Sequence, residues 1–434
     1  MSEAAARPAA GTRPVGAADG APDRRPRGDH DGAIGERRRA DADLTGTQAQ
    51  PPTRWWHLDS LDRQALWLWL LSRVALLLVS QSGPFLLSNL DQTAHGLRAW
   101  ERWDWFHFND IALNGYFDPL WDTPTEAFFP GLPMVMRFGY QVFGIPTAAT
   151  GMILSFVGGA IACIALCRLA KFEFGEPAAI PAVVAFVAVP TAVFMSAPYT
   201  EAPFLMFALP AWLLARKDKW AWACILATCA AAFRISALFL VAAMGLQFLV
   251  SRDWHRIRTW WPKLFLFLLP VLPVAGYFAW LHHKTGDWLR WQHAQSAEWY
   301  REFTWPWEAL ATTWRAGHGA VSLGQGTPIG LLEAYAWMFR AELVAMVIGV
   351  IVTVLLLLYR RWGEAAWMGL PVAALATSHW FFSVPRSALL WWPMFLLIGW
   401  AAAKRRWVLW VYLALSVPLA GVWATSFLIS RWSG

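Results

Sequence analysis

Charge is scarce in this 434-residue chain, where only 15% of residues are charged and 57% are apolar. A soluble domain averages roughly a quarter charged, and here the apolar residues fall in long runs, so an ordinary soluble fold is excluded. Glycine-rich phosphate loops of the GxGxxG or GxxxxGK[ST] kind are missing, which removes support for a nucleotide or nucleotide-sugar site. Ser/His/Asp and Cys/His nucleophile signatures are missing too. The four cysteines, Cys163, Cys167, Cys224 and Cys229, lie inside apolar runs and read as small core residues, not a disulfide framework. His282, His283 and His293 have no recognised ligand spacing, so neither a metal nor another cofactor is expected.

What is present is a series of apolar windows, near 64–82, 147–167, 178–196, 199–215, 220–233, 235–250, 264–282, 338–359, 364–382, 387–403 and 407–429. They predict an all-α polytopic membrane protein of about eleven transmembrane helices. Several windows contain proline (Pro181, Pro190, Pro210, Pro270, Pro273), which membrane helices tolerate where neighbours satisfy the freed backbone. Residues 1–54, rich in Ala, Gly, Pro, Arg and Asp, read as a disordered cytoplasmic tail ahead of one membrane domain, 55–434.

The formal charge of +7 does not point to nucleic acid, because the basic residues cluster at the ends of apolar windows. Arg168 and Lys171, Arg216 to Lys219, Arg252 to Lys263, Arg360 and Arg361, and Lys404 to Arg406 fall after every second span. Placed inside with the tail, they make 83–146 and 283–337 the two large extracytoplasmic loops. The end of this map depends on the division of 220–250 around Arg234, since one long tilted helix would reverse it.

The first of those loops holds the stretch Arg102–Pro133, with five acidic residues among many aromatics. A helix over 101–116 would put Asp104, His107, Phe108 and Ile111 on one side and lie at the membrane surface. Gly115-Tyr116 would end it, and Phe128-Phe129-Pro130-Gly131 would turn the chain into a second surface helix, 132–143. Asp104 is the leading candidate for chemistry, with Asp110, Asp118, Asp122 and Glu126 behind it. Arg73, midway along the first span, is expected to face a cavity or a partner because a charge in lipid is costly. Arg234 and Arg386, at outer span ends, are suited to a phosphate by their planar fork of donors. Glu201 sits in a short turn at the same face.

Taken together, Arg102-Trp103-Asp104, Ile111-Ala112-x-x-Gly115-Tyr116 and Phe128-Phe129-Pro130-x-x-Pro133 resemble the first extracytoplasmic loop of PIG-V-type mannosyltransferases. These are GT-C-fold enzymes that use polyprenyl-phosphate mannose. Pro198-Tyr199-Thr200-Glu201 and Phe233-Arg234-Ile235-Ser236 are similar to two further turns of that family, and the resemblance covers about residues 64–250. It departs from the family pattern at Thr200, at Ile235-Ser236 and in the bulk of Trp105-Phe106-His107. The resemblance implies a GT-C-like membrane glycosyltransferase with its loop aspartate, Asp104, on the extracytoplasmic side. Its expected partners are a polyprenyl-phosphate sugar donor, a glycan, glycolipid or protein acceptor, and membrane lipid, with no nucleic acid. Asp104 would be the base, and Arg234, Arg386, Arg73 and Glu201 would hold the donor phosphate or sugar. A transporter or lipid flippase is the competing reading, to which broken spans and an intramembrane arginine also belong.

Overall fold

The computed structural model describes residues 57–87, 96–120, 123–319 and 329–431. It divides into the units Met1–His57 and Leu58–Gly434. The expected tail over 1–54 lies outside the described residues, as does Asp122. Among the described residues every regular element is helical.

Each apolar window carries a helix, but the helices differ in reach. The first, α1 (Ser60–Leu87), contains a span at Ser60–Ser82. In the loop that follows, α2 runs Asp104–Leu113 and α3 runs Gly131–Phe143, close to the two helices expected there. Then come α4 (Thr147–Phe174), α5 (Glu176–Val187), α6 (Glu201–Arg216), α7 (Trp220–Ala231) and α8 (Ala237–Val250). Short α9 (Ile257–Trp260) leads through a 3₁₀ stretch into α10 (Leu272–Thr285), and α11 (Arg290–Trp299) and α12 (Pro306–Gly317) fill the second loop. The chain closes with α13 (Ile329–Leu358), α14 (Trp362–Ala376), the single turn α15 (Val384–Ser387), α16 (Trp392–Lys404) and α17 (Trp407–Leu428).

By length and composition five helical segments can cross a membrane, or six if the pair Val384–Leu390 and Trp392–Lys404, bent by 70°, counts as one span. This is fewer than the eleven expected. A 12-residue helix such as α5 or α7 rises only about 18 Å, short of a hydrocarbon core of about 30 Å. Window 178–196 illustrates the cause: the helix stops at Val187, ahead of Pro190, and the rest becomes turns and a 3₁₀ segment, Ala192–Met195. Residues 220–250 do not form one long helix, because α7 and α8 are separated by a turn at 232–236 that carries Arg234, although both are too short to count among the spans.

Helix α4 is central, packing along α1, α5 and α6, and small residues let it approach closely. A Cβ at Gly159 would lie 2.1 Å from the Trp69 ring of α1. That indole also donates to the Phe156 carbonyl at 3.1 Å, so α1 and α4 are joined by shape and by a hydrogen bond.

Three of the basic clusters are met by acids whose carboxylates are buried. Arg168 pairs with Asp62 at 2.7 Å, and Glu173 pairs with both Arg216 (2.6 Å) and Arg361 (2.8 Å), which also meets Glu364. Arg216 ends α6 and Glu201 begins it. The two therefore stand about 22 Å apart along that helix.

Candidate active site

The first turn of α2 presents Asp104, and its position is set from three sides. Tyr199 donates its hydroxyl to the Arg102 carbonyl at 2.8 Å, and Arg102 donates to the Leu428 carbonyl at 3.1 Å. Trp103, half-exposed, takes a positive φ of 49°, a conformation an aromatic residue rarely adopts. At the other end of α2, Arg137 from α3 donates to the Ala112 and Leu113 carbonyls, capping groups the helix leaves open. Phe108 and Ile111 are buried, as the three- and four-residue spacing requires.

The Phe128–Gly131 turn docks on the turn that carries Arg234. Gly131 donates its N–H to the Ala232 carbonyl at 2.9 Å, and a Cβ at Gly131 would come within 2.6 Å of that oxygen. Only glycine permits this approach. Phe129 is buried against the same region, Pro130 precedes the first turn of α3, and Tyr116 donates its hydroxyl to the Phe128 carbonyl at 2.8 Å. Gly115, at φ 92°, takes the chain out of α2.

Arg386 arrives from 282 positions away in sequence. Its turn is held by Glu342, buried on α13, whose two oxygens accept the N–H groups of Ser383 (2.9 Å) and Val384 (2.7 Å). Ser383 has a positive φ of 62°, so the carboxylate stabilises a turn that an L-residue adopts at a cost. Thr191 adds a hydrogen bond to the Pro385 carbonyl at 3.0 Å. The guanidinium lies 4.6 Å from the Tyr199 ring centroid.

These elements converge. Arg386 donates to Asp104 at 2.6 Å and to Glu201 Oε1 at 2.7 Å, and Arg234 donates to the same Glu201 oxygen at 2.7 Å and to Thr200 Oγ1 at 2.7 Å. Glu201 Oε2 is buried without a partner. Asp104, Arg234 and Arg386 line a cavity of about 200 Å³, with Arg301, Trp291, Trp299 and Phe128 among the other walls. Arg301 comes from the second loop and makes no hydrogen bond or ion pair through its side chain among the described residues. Burial, with the Arg234 and Arg386 cations beside it, pushes its pKa down to about 10, against the pull of Glu342 and Asp104. It remains a cation at neutral pH. Three guanidinium groups and the single carboxylate of Asp104 line the cavity, with Glu201 and Glu342 outside the lining, so the surface it presents suits an anion.

Of the residues expected at the site, Asp104, Glu201, Arg234 and Arg386 come together and Phe129 lines their cavity. His107 stacks on Phe128 at 4.8 Å and edges Trp299, just behind the lining. Burial lowers its pKa, although Asp104 and Asp110 oppose this, so the ring is neutral at physiological pH. Arg73 does not join them: it is absent from this lining, borders a second cavity and donates to Ala192 and Ser196. Asp110 pairs with Asn114, Asp118 accepts from the Leu120 N–H, and Glu126 is buried against Arg290, so none of these acids lines the cavity. His282 stacks on Trp288 and His293 bonds to Asp287, which separates the histidines. Arg301 is the residue that sequence reasoning missed.

An all-helical, multi-pass integral membrane protein with a cation-rich, aromatic-walled cavity at one end of its bundle is the class that fold and site define. Within that class, residues 122–280 match the model of the dolichyl-phosphate-mannose-protein mannosyltransferase family. The match covers less than half of the chain; it includes Glu201 and Arg234 and stops short of Asp104, Arg301 and Arg386. No curated protein sequence matches the chain. Among solved structures, ArnT from Cupriavidus metallidurans bound to undecaprenyl phosphate has a TM-score of 0.40 and 14% identity, over 83% of this chain and 76% of that one. That likeness is too distant to carry an argument.

Proposed function

We propose that this protein is an integral-membrane glycosyltransferase that moves a hexosyl group, mannosyl by preference, from a polyprenyl-phosphate donor to an acceptor hydroxyl on the extracytoplasmic face. The observation that carries this reading is the convergence of Asp104 with three arginines on one aromatic-walled cavity. The family match over 122–280 supports it, as does the resemblance of the first loop to PIG-V-type enzymes.

The chemistry follows from the pairing. One oxygen of Asp104 accepts from Arg386 and is not free to meet an acceptor hydroxyl. A donor phosphate entering the cavity competes for Arg386, and Arg301 offers a further cation without giving up a partner. Asp104 is thereby released to take a proton from the acceptor hydroxyl as its oxygen attacks the anomeric carbon. The carbon–oxygen bond to phosphate breaks, its electron pair leaves with polyprenyl phosphate, and the arginines stabilise that anion. Attack opposite the leaving group inverts the anomeric centre. Glu201 orients Arg234 and Arg386 by holding both on one oxygen. Trp291, Trp299 and Phe128 offer apolar faces to a sugar ring.

The test is an assay of purified, membrane-reconstituted protein with labelled polyprenyl-phosphate mannose and a hydroxyl-bearing acceptor pool. Release of free polyprenyl phosphate with label transferred to acceptor supports the enzyme. Donor flux across the bilayer without transfer supports a flippase instead.

A further inference from the structure

The second loop carries a surface that the candidate active site does not use. Helix α12 (Pro306–Gly317) has three faces. Ala309, Thr313, Ala316 and Gly317 are buried against the bundle, where the Thr313 hydroxyl accepts the Phe381 N–H at 2.8 Å. Trp307, Leu310 and Trp314, spaced by three and four, share a second face and are 63%, 47% and 58% exposed. Glu308, Thr312 and Arg315, spaced by four and three, form a polar third face. A helix on a protein surface in water shows one apolar stripe toward the core and a polar remainder. A second apolar stripe, facing outward, needs an apolar neighbour of its own.

The position of α12 identifies that neighbour. It lies against α13, whose segment Tyr335–Leu358 is a span, and Arg340 donates its Nε–H to the Gly317 carbonyl at 2.7 Å. Arg340, Val344, Val347 and Ile351 share one face of α13 by their spacing. The three apolar members are exposed within the span, so they meet lipid. Helix α12 therefore stands at the head of a lipid-facing stripe. Its two ends also lie at nearly one level. Arg340 is about 27 Å along α13 from the turn at 359–361, and Thr377, whose carbonyl accepts the Thr304 N–H at 2.8 Å, is about 23 Å along α14 from the same turn. A helix about 18 Å long whose ends differ by only about 4 Å in level runs across the bundle, in the plane a membrane surface would occupy.

We propose that α12 is an interfacial helix, with the Trp307–Leu310–Trp314 face immersed in the headgroup–acyl boundary of the bilayer that the chain spans and the Glu308–Arg315 face in water. Tryptophan suits that level because its ring is apolar and its N–H is polar. Trp305, stacked on Trp307 at 5.0 Å, extends the stripe toward the cavity. Arg301 stands four residues ahead of Trp305, so the lipid contact also fixes the depth at which this arginine meets the cavity. The surface is separate from the candidate active site and does not depend on the proposed transfer.

Nitroxide labels read by electron paramagnetic resonance test this on the full chain in phosphatidylcholine vesicles, with Cys229→Ser removing the cysteine that is not buried. The labels are placed through Leu310→Cys, Trp314→Cys and Glu308→Cys, all exposed positions that leave the packing intact. Labels at 310 and 314 should collide more with oxygen, which concentrates in lipid, than with a water-soluble nickel chelate. The label at 308 should show the reverse. Nickel preference at 310 and 314 would overturn the proposal by placing that face in water, and oxygen preference at 308 would overturn it by sinking the whole helix in lipid. Low access of both reagents at 310 and 314 would overturn it too, by placing protein there, and spin–spin broadening would identify that protein as a second copy of the chain.

Discussion

The two ends of α6 carry charged networks built from the same residue types to different effect. At Arg216 the groups close on one another: Glu173 accepts from Arg216 and Arg361, and Arg361 is shared with Glu364. At Glu201 the network is left open: one carboxylate oxygen has no hydrogen-bond partner, and Arg234 and Arg386 line a cavity with Arg301, which has no ion pair among the described residues. A closed network holds helices together, whereas an open one whose arginines line a cavity can take an anion. Under the proposed function the difference gives structure to one end and chemistry to the other, although both are arginine–glutamate clusters.

Substitutions at the two ends should separate these roles, and the largest effect is expected at the open one. Arg386→Gln should lower turnover about 10²–10³-fold, the usual loss when one preorganised donor to a developing anion is removed; steady-state transfer assays measure it. Glu173→Gln should instead leave turnover per folded molecule near wild type while costing about 3 kcal/mol of stability, because Arg216 loses its carboxylate and Arg361 keeps only Glu364. Thermal melting in the same detergent reads that loss, and a matching drop in turnover would erase the contrast between the ends.

Arg301→Gln is expected to be milder, weakening polyprenyl-phosphate binding about tenfold with little loss of stability, since its side chain has no ion pair to lose. Calorimetric titration measures the affinity. The smallest effect is on pH dependence. A base whose pKa is lowered to about 10 is a cation below that pH and loses its charge above it. Binding in the wild type should therefore weaken as pH rises through about 10, and that component should be absent from Arg301→Gln.

Much of the open end was legible in the sequence. The spacing of Asp104, Phe108 and Ile111 gives α2, and Glu201 and Arg234 stand out as charges in short turns between apolar windows. The break at Arg234 is legible for the same reason. Arg301 is not, because a charged residue in a long polar loop is unremarkable until the fold brings it against Arg234 and Arg386. Neither is Glu342, which reads as an isolated acid in an apolar run and is explained only by the Ser383 and Val384 N–H groups it accepts. The intramembrane charge of Arg73 predicts a cavity or a partner, yet only helix phase decides which cavity it meets. The span count exceeded the helices long enough to cross because hydropathy does not register where prolines and turns shorten a helix.

The most direct test of the account measures Asp104→Asn in two ways on the same preparation, namely transfer from labelled polyprenyl-phosphate mannose and binding of polyprenyl phosphate. Loss of the base should lower transfer by about 10²–10⁴-fold. Binding should be retained or tightened, because Arg386 no longer spends its donor on a carboxylate. Near-normal transfer by Asp104→Asn would contradict the account.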